Sequence, residues 1–278
     1  MARLLIFDLL RIIAIALVVI AHIAQTLSIP ILNGFYGIPN FYFVSLGGMG
    51  VTILLVVSGV VLRLNHPSVT DYKDFIIKRL YRIYPAYWCS LILILLIYAV
   101  ASRMPRLAPK DLVLSITGMY AFVGEWGGPI NGVSWFIGLI VILYLMYPFI
   151  MPLIEKHGYI ALFALLVISV WSRWFFGHEA GRLTDWFPLC RVFEFGLGIF
   201  IVGRGLYPKT LTTLKAIYIL SSLSFYVFLI HFPLLFVIKT NPLLYAALVM
   251  LLSYFVYVFD DKLMQTAIKN LHRGSDCG

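Results

Sequence analysis

Long stretches with almost no charge constrain this chain more than any other feature. Ile12 to Ala21, Leu91 to Ala101, Trp135 to Ile154 and Tyr245 to Phe259 are apolar throughout or nearly so. Several approach or reach the ~20 residues that a helix needs to cross the hydrocarbon core of a bilayer. A soluble domain carries about a quarter charged residues; here 12% are charged, 62% are hydrophobic, and the mean hydropathy is +0.97. A water-soluble globule is excluded, and the expected fold class is all-α, a polytopic membrane protein.

Full spans are expected at about 9–29, 43–63, 84–102, 134–154, 158–176, 187–203, 216–238 and 243–260, a bundle of about eight transmembrane helices. A ninth apolar element, 112–124, is bounded by Pro109 and by Trp126-Gly127-Gly128-Pro129. Its thirteen residues would reach only ~20 Å of a ~30 Å core, so it is read as one short re-entrant or interfacial segment. Cytoplasmic loops collect Lys and Arg. If the short segment does not cross, fourteen such residues fall on the side of the N-terminus and five on the other (Arg103, Arg106, Lys110, Arg182 and Lys239). If it crosses, the split is nine to ten. Eight spans with both termini cytoplasmic is therefore the expectation, residues 1–278 forming one membrane domain with a cytoplasmic tail from 260 to 278. The same rule accounts for the net charge of +9, so no nucleic-acid partner is inferred; the partner is the lipid bilayer. Cys89, Cys190 and Cys277 show no C-x-x-C spacing and suggest neither a disulfide framework nor a metal site.

Ionisable side chains within spans cost about 2.5–3.5 kcal/mol each on insertion scales, so each is a functional candidate. In the first span, Arg11 and His22 are eleven residues apart, three turns plus ~20°, on one face and ~16 Å apart. Asp8 stands one turn before Arg11, where the two can pair. A topogenic ion pair at the helix end accounts for Asp8 and Arg11 equally well. His22 is expected deep in the membrane, where it needs partners. In SFYVFLIHFPLL, Ser224, Phe228 and His231 share a face, with Pro233 following; a plain interhelical contact is the competing reading. Arg191 and Glu194 are spaced to pair with one another, and Arg173 reads as an end residue that snorkels. The stretch DYKDFIIKRLYRIYPAYW reads as a basic amphipathic helix on the cytoplasmic surface. Its Lys78, Arg79 and Arg82 suit either lipid headgroups or a phosphorylated ligand.

Six segments in order, FDLLRIIAIALVVIAH, VVSGVVL, KRLYRIYPAYW, SWFIGLIVILYLMYP, RVFEFGLGI and SFYVFLIHFPLL, resemble the acyltransferase family 3 membrane proteins over nearly the whole chain. The resemblance implies that Arg11 and His22 are the family's R-x10-H pair, with a catalytic role. It further matches Arg79 and Arg82 to a cytoplasmic R-x-x-R, with Lys78 beside them, for the donor acyl-CoA (acetyl-CoA). Ser58 falls on a Ser-Gly motif, Glu194 on Glu-Phe-x-x-Gly, and His231 on a late Tyr-Leu-x-His in which Phe228 stands in place of tyrosine. Trp135 and Tyr144 lie in the fourth segment, SWFIGLIVILYLMYP. Where many members carry glutamates after that tryptophan, this chain has Ile140 and Val141, so it is more similar to a Trp-Phe-Leu branch. Members usually have about ten spans, whereas only thirty residues separate Glu194 from Ser224. The implied activity is O-acyl transfer, most simply of acetyl, from acyl-CoA to a hydroxyl of a cell-surface glycan or glycolipid precursor. No metal is implied, and the implied location is the cell (inner, cytoplasmic) membrane. On that reading His22, Arg11, Asp8 and His231 are the catalytic candidates, with Ser58, Trp135, Tyr144, Glu194 and Ser224 in support. Intramembrane charges also mark transport paths, so a transporter or flippase for a polysaccharide or lipid-linked sugar is the alternative, or a non-catalytic subunit.

Overall fold

The computed structural model describes residues 4–27, 29, 35–38, 42–122, 127–176, 186–208, 214–238 and 242–275. Arg3, Arg182, Lys209, Lys239 and Cys277, which enter the loop and tail readings above, lie outside the described residues. The chain runs α1 (Leu5–Thr26), β1 (Phe35–Ile38), β2 (Tyr42–Ser45), α2 (Leu46–Asn65), α3 (Tyr72–Val100), α4 (Pro109–Thr117), α5 (Trp135–His157), α6 (Tyr159–Trp174), α7 (Val192–Gly203), α8 (Lys215–Val237) and α9 (Pro242–Ser275). The fold is helical as expected, with one addition. β1 and β2 form a small antiparallel hairpin, Phe35 opposite Ser45 and Ile38 opposite Tyr42.

Each expected span has a helix, but among the described residues six helices are long and apolar enough to cross a membrane: α1, α2, α3, α5, α8 and Leu243–Lys262 of α9. The count of about eight is therefore not confirmed. α6 has 16 residues and α7 has 12, which at 1.5 Å per residue is roughly 24 Å and 18 Å against a ~30 Å core. α7 is shortened because Pro188 opens a 3-10 turn, Pro188–Arg191, ahead of the α-helix. α9 continues past residue 260 to Ser275 as helix, where a tail had been expected. The basic segment is not a separate surface helix. It is the first part of α3, which passes through Pro85 into the apolar run.

Local chemistry sets several helix starts. Ser45 caps α2 by accepting from the Gly48 amide at 3.0 Å, and Asp71 caps α3 by accepting from the Asp74 amide at 3.0 Å. α4 opens on Pro109, and Gly118 (φ 72°) closes it in the left-handed region. Its nine residues reach only ~14 Å. The last-turn carbonyls of α4, left without helical partners, accept from α3: Tyr84 donates to Thr117 at 2.9 Å, Trp88 to Ile116 at 2.9 Å, and Tyr87 to Ser115. These residues lie roughly 20 Å back along α3 from its C-terminus, so the chain turns back along α3 at this point.

α5 and α8 are the most enclosed of the long helices, and both are apolar nearly all round. α8 packs on α1, α3 and α9, and α2 joins α1 to α7. The α2–α7 crossing is set by Gly59 and Gly198. A Cβ on Gly59 would fall 2.2 Å from the Phe195 carbonyl oxygen, and one on Gly198 would fall 2.0 Å from that of Val56. Only glycine permits backbones to approach this closely.

Candidate active site

α1 and α8 run in the same direction, and a stripe of α1 at helical spacing (Asp8, Arg11, Ile15, Val18, His22) carries polar groups at both ends. At the first end Ser221 of α8 donates to Asp8 Oδ1 at 2.7 Å, and Arg11 reaches the same oxygen at 3.3 Å. At the other end His22 Nδ1 stands 3.0 Å from His231 Nε2. His22 lies four residues before the end of α1, nearer the helix terminus than its expected place. His231 is fully enclosed and His22 is half-buried.

The bonding of this pair determines which nitrogen carries which proton. His231 Nδ1 lies 3.0 Å from the Val227 carbonyl and 2.8 Å from that of Phe228. Carbonyls only accept, so Nδ1 bears the hydrogen, and in the neutral ring Nε2 is then an acceptor. The 3.0 Å contact therefore requires His22 to donate from Nδ1, which leaves His22 Nε2 with a lone pair and no proton. A half-buried imidazole in that tautomer can accept a proton from a hydroxyl. Phe232 presents an edge to the His22 ring at 4.7 Å.

His231 is braced from two sides. Pro233 has no N–H for the Leu229 carbonyl four residues earlier. Asn131, in the loop before α5, supplies the missing donor through Nδ2 at 2.8 Å, and its own oxygen accepts from the Val133 amide at 3.2 Å. Tyr245 of α9 donates to the His231 carbonyl at 3.0 Å. Gly132 lets the loop close over this corner, since a Cβ there would fall 2.3 Å from the Phe232 ring.

The other sequence candidates occupy separate places. Ser224 donates to the Ser221 carbonyl at 2.7 Å, one turn below rather than at His231. Arg11 lies eleven residues from His22 along α1, about 16 Å, too far to touch it. Ser58 sits beside the Gly59 crossing, whose neighbours Val57 and Val60 pack with Phe7 near the start of α1, the end away from His22. Trp135 stacks on Trp186 at 5.8 Å and meets Phe136 edge-on; Phe136 in turn packs on Phe228 at 4.8 Å, two links from His231.

On α3, Lys78 is exposed and paired with Asp74 at 2.7 Å. Arg79 is half-buried over the Phe75 ring, 5.8 Å from its centroid, and its buried Nε has no acceptor. Tyr144 lies within electrostatic reach of Arg79 and packs on Phe195 at 6.2 Å. Arg82 is exposed and acts electrostatically on Tyr226 and Asp260. His66, in the loop between α2 and α3, faces this group. Burial, then the charges of Arg79 and Lys78, hold its imidazole below the ordinary 6.5. Glu194 is buried and takes Arg191 at 2.9 Å, as its spacing indicated, but also Arg173 at 3.2 Å. Arg173 is 7% exposed and does not snorkel. It ties α6 to α7, while Arg191 reaches Thr52 of α2 at 2.8 Å.

A family model described as an acyltransferase domain matches residues 4–259. The chain belongs to acyltransferase family 3. No curated protein and no solved structure matches it significantly. The match spans His22 and His231 of this acyltransferase and all the other candidates. Among the described residues, no group of three His, Cys, Asp or Glu side chains could hold a metal ion.

Sequence reasoning missed Asn131, Ser221, Tyr245 and Asp260. Asp260 is 3% exposed and accepts from Tyr226 at 2.7 Å. For Asn131 a signal did exist. A proline inside a long apolar helix leaves one carbonyl without its N–H, and some donor elsewhere in the chain has to meet it.

Proposed function

We propose that this acyltransferase moves an acyl group, most simply acetyl, from acyl-CoA to a hydroxyl of a glycan or glycolipid precursor, with His22 as the base. The observation that carries this reading is the 3.0 Å contact between His22 and His231, which directs the basic nitrogen of His22 away from its partner. The acceptor hydroxyl gives its proton to His22 Nε2 as its oxygen attacks the thioester carbonyl. The carbon–sulfur bond then breaks, and the imidazolium returns the proton to the departing thiolate. The products are an ester and free coenzyme A. His231 acts as a positioning residue that holds the tautomer.

Arg79, Arg82 and Lys78 hold the phosphates of the donor on this reading. The unmet Nε of Arg79 supports it, because a buried guanidinium N–H wants an acceptor that phosphate supplies. Arg79 neighbours Tyr144, and Tyr144 is eight residues along α5 from Phe136, a rise of about 12 Å. The donor's long arm would cover that interval while the cations stay at the membrane face, which is taken to be cytoplasmic.

The test is transfer of labelled acetyl from acetyl-CoA into lipid and polysaccharide fractions of membranes holding the protein. Wild type should transfer label and release thiol only with acceptor present; His22→Ala should do neither while accumulating normally. Equal transfer by the two proteins would remove His22 from the chemistry. Acceptor movement across the membrane without thiol release would favour a transporter.

A further inference from the structure

At the end of the bundle that holds the start of α1, helices α2, α5 and α7 enclose a cavity of about 260 Å³ between Arg63, Ile154, Glu155, Ile199, Phe200 and Arg204. It stands apart from the histidine pair, and the proposed reaction uses none of its lining. Two guanidiniums face one carboxylate here, so the lining carries an excess of one positive charge. Arg204 is exposed and rests against an aromatic pair, 5.7 Å from the Tyr159 centroid and 5.6 Å from that of Phe200, the two rings lying 4.9 Å apart on the same side of it. Those rings lie to one side of it, and among the described residues no carboxylate or carbonyl meets its guanidinium N–H groups. Arg63 donates to the Pro67 carbonyl and to Glu155, while its buried Nε has no acceptor. The cavity thus offers two sets of guanidinium donors, Arg63 held by its bonds to Pro67 and Glu155 and Arg204 resting against the aromatic pair, over a partly apolar floor.

We propose that this cavity binds a phosphate group, carried either by an anionic phospholipid headgroup or by a soluble phosphoester. The guanidinium fork matches phosphate oxygens two at a time, and two such forks line one cavity here. The apolar side of the site is continuous with surface suited to acyl chains. Tyr159 of α6 lies against Arg204, and Tyr159, Ile160 and Phe163 are 69%, 75% and 66% exposed, as befits a lipid-facing helix. Glu155, 45% exposed at its side chain, restrains Arg63 when the ligand is absent and repels the ligand when it is present.

The experiment uses the full chain extracted from bilayers of phosphatidylcholine with phosphatidylglycerol, with retained lipid counted by native mass spectrometry. A parallel arm titrates inorganic phosphate into lipid-free detergent samples. Arg204→Ala should lower phosphatidylglycerol retention by about tenfold, the loss expected when a charge-assisted bond is removed. Glu155→Gln should raise it. These opposite signs separate an anion site from general damage to the fold, which would move both variants the same way. Phosphatidylglycerol retention that inorganic phosphate does not displace identifies the lipid source. Arg204-dependent phosphate binding without lipid retention identifies the soluble source. Retention and phosphate binding that ignore both substitutions, or that fall together in both variants, would overturn the proposal.

Discussion

Asn131 and Pro233 should be energetically coupled, although 102 residues separate them in the chain. Pro233 leaves the Leu229 carbonyl without its helical N–H, and Asn131 Nδ2 meets that carbonyl at 2.8 Å. With Pro233 in place, Asn131→Ala strands a buried carbonyl. That costs about 1–3 kcal/mol in general, while interhelical bonds within membranes average ~0.6 and reach ~1.7 kcal/mol, so about 1.5 kcal/mol is expected. In a Pro233→Ala background the residue 233 amide can serve Leu229 itself, and Asn131→Ala should cost only about 0.5 kcal/mol. The bond from the Val133 amide to Asn131 at 3.2 Å is lost in both backgrounds and cancels. The coupling energy is then about 1 kcal/mol, roughly fivefold in the unfolding constant. Denaturant unfolding of the four proteins in mixed micelles, followed by tryptophan fluorescence, measures it. Effects that add within ~0.3–0.5 kcal/mol would refute the claim that Asn131 serves the carbonyl freed by the proline.

Three further outcomes are expected. His231→Phe keeps the bulk but removes the acceptor that fixes the His22 tautomer, so acetyl transfer should fall by about tenfold, the value of one hydrogen bond of ~1.4 kcal/mol, while His22→Ala abolishes it; equal losses would give His231 a direct part in the reaction. His66 should titrate below 6.5 by NMR, and Arg79→Ala should raise that value towards 6.5 by removing a neighbouring cation. Because folding lowers this pKa, the unfolded chain binds the proton first, and the protein should lose stability as pH falls from about 6.5 through the folded value. Glu194→Gln removes the carboxylate that Arg173 and Arg191 share and should cost about 3–5 kcal/mol; Arg173→Met leaves the Arg191 pair and should cost less in the same unfolding assay, and the reverse order would place the main support of this cluster outside Glu194.

Where the chain is helical was legible in the sequence, because unbroken apolar runs in a bilayer leave the backbone no other way to satisfy its hydrogen bonds. All eight expected spans coincide with helices, and the short ninth element is an α-helix over Pro109–Thr117 followed by a 3-10 turn over Met119–Phe122. Length was less legible. Pro188 diverts the start of α7 into a 3-10 turn, and a window of hydropathy registers such a proline only as one apolar residue among many. The face shared by Asp8, Arg11 and His22 also followed from helical spacing alone, as did the pairing of Arg191 with Glu194. Each of these depends on distances within one helix.

Everything that depends on distances between helices was decided by the tertiary structure. His22 and His231 lie 209 residues apart, and no periodicity relates them. Arg173 read as a membrane-end residue until α6 packed on α7 and brought it to Glu194. The same packing that sets Ser58 beside the Gly59 crossing leaves Arg63 and Arg204 around a cavity. The physical reason is that hydrophobic burial is not directional. It drives the helices into a bundle, but which polar groups meet depends on close packing at positions such as Gly59, Gly198 and Gly132, and on the donors that happen to reach a freed carbonyl.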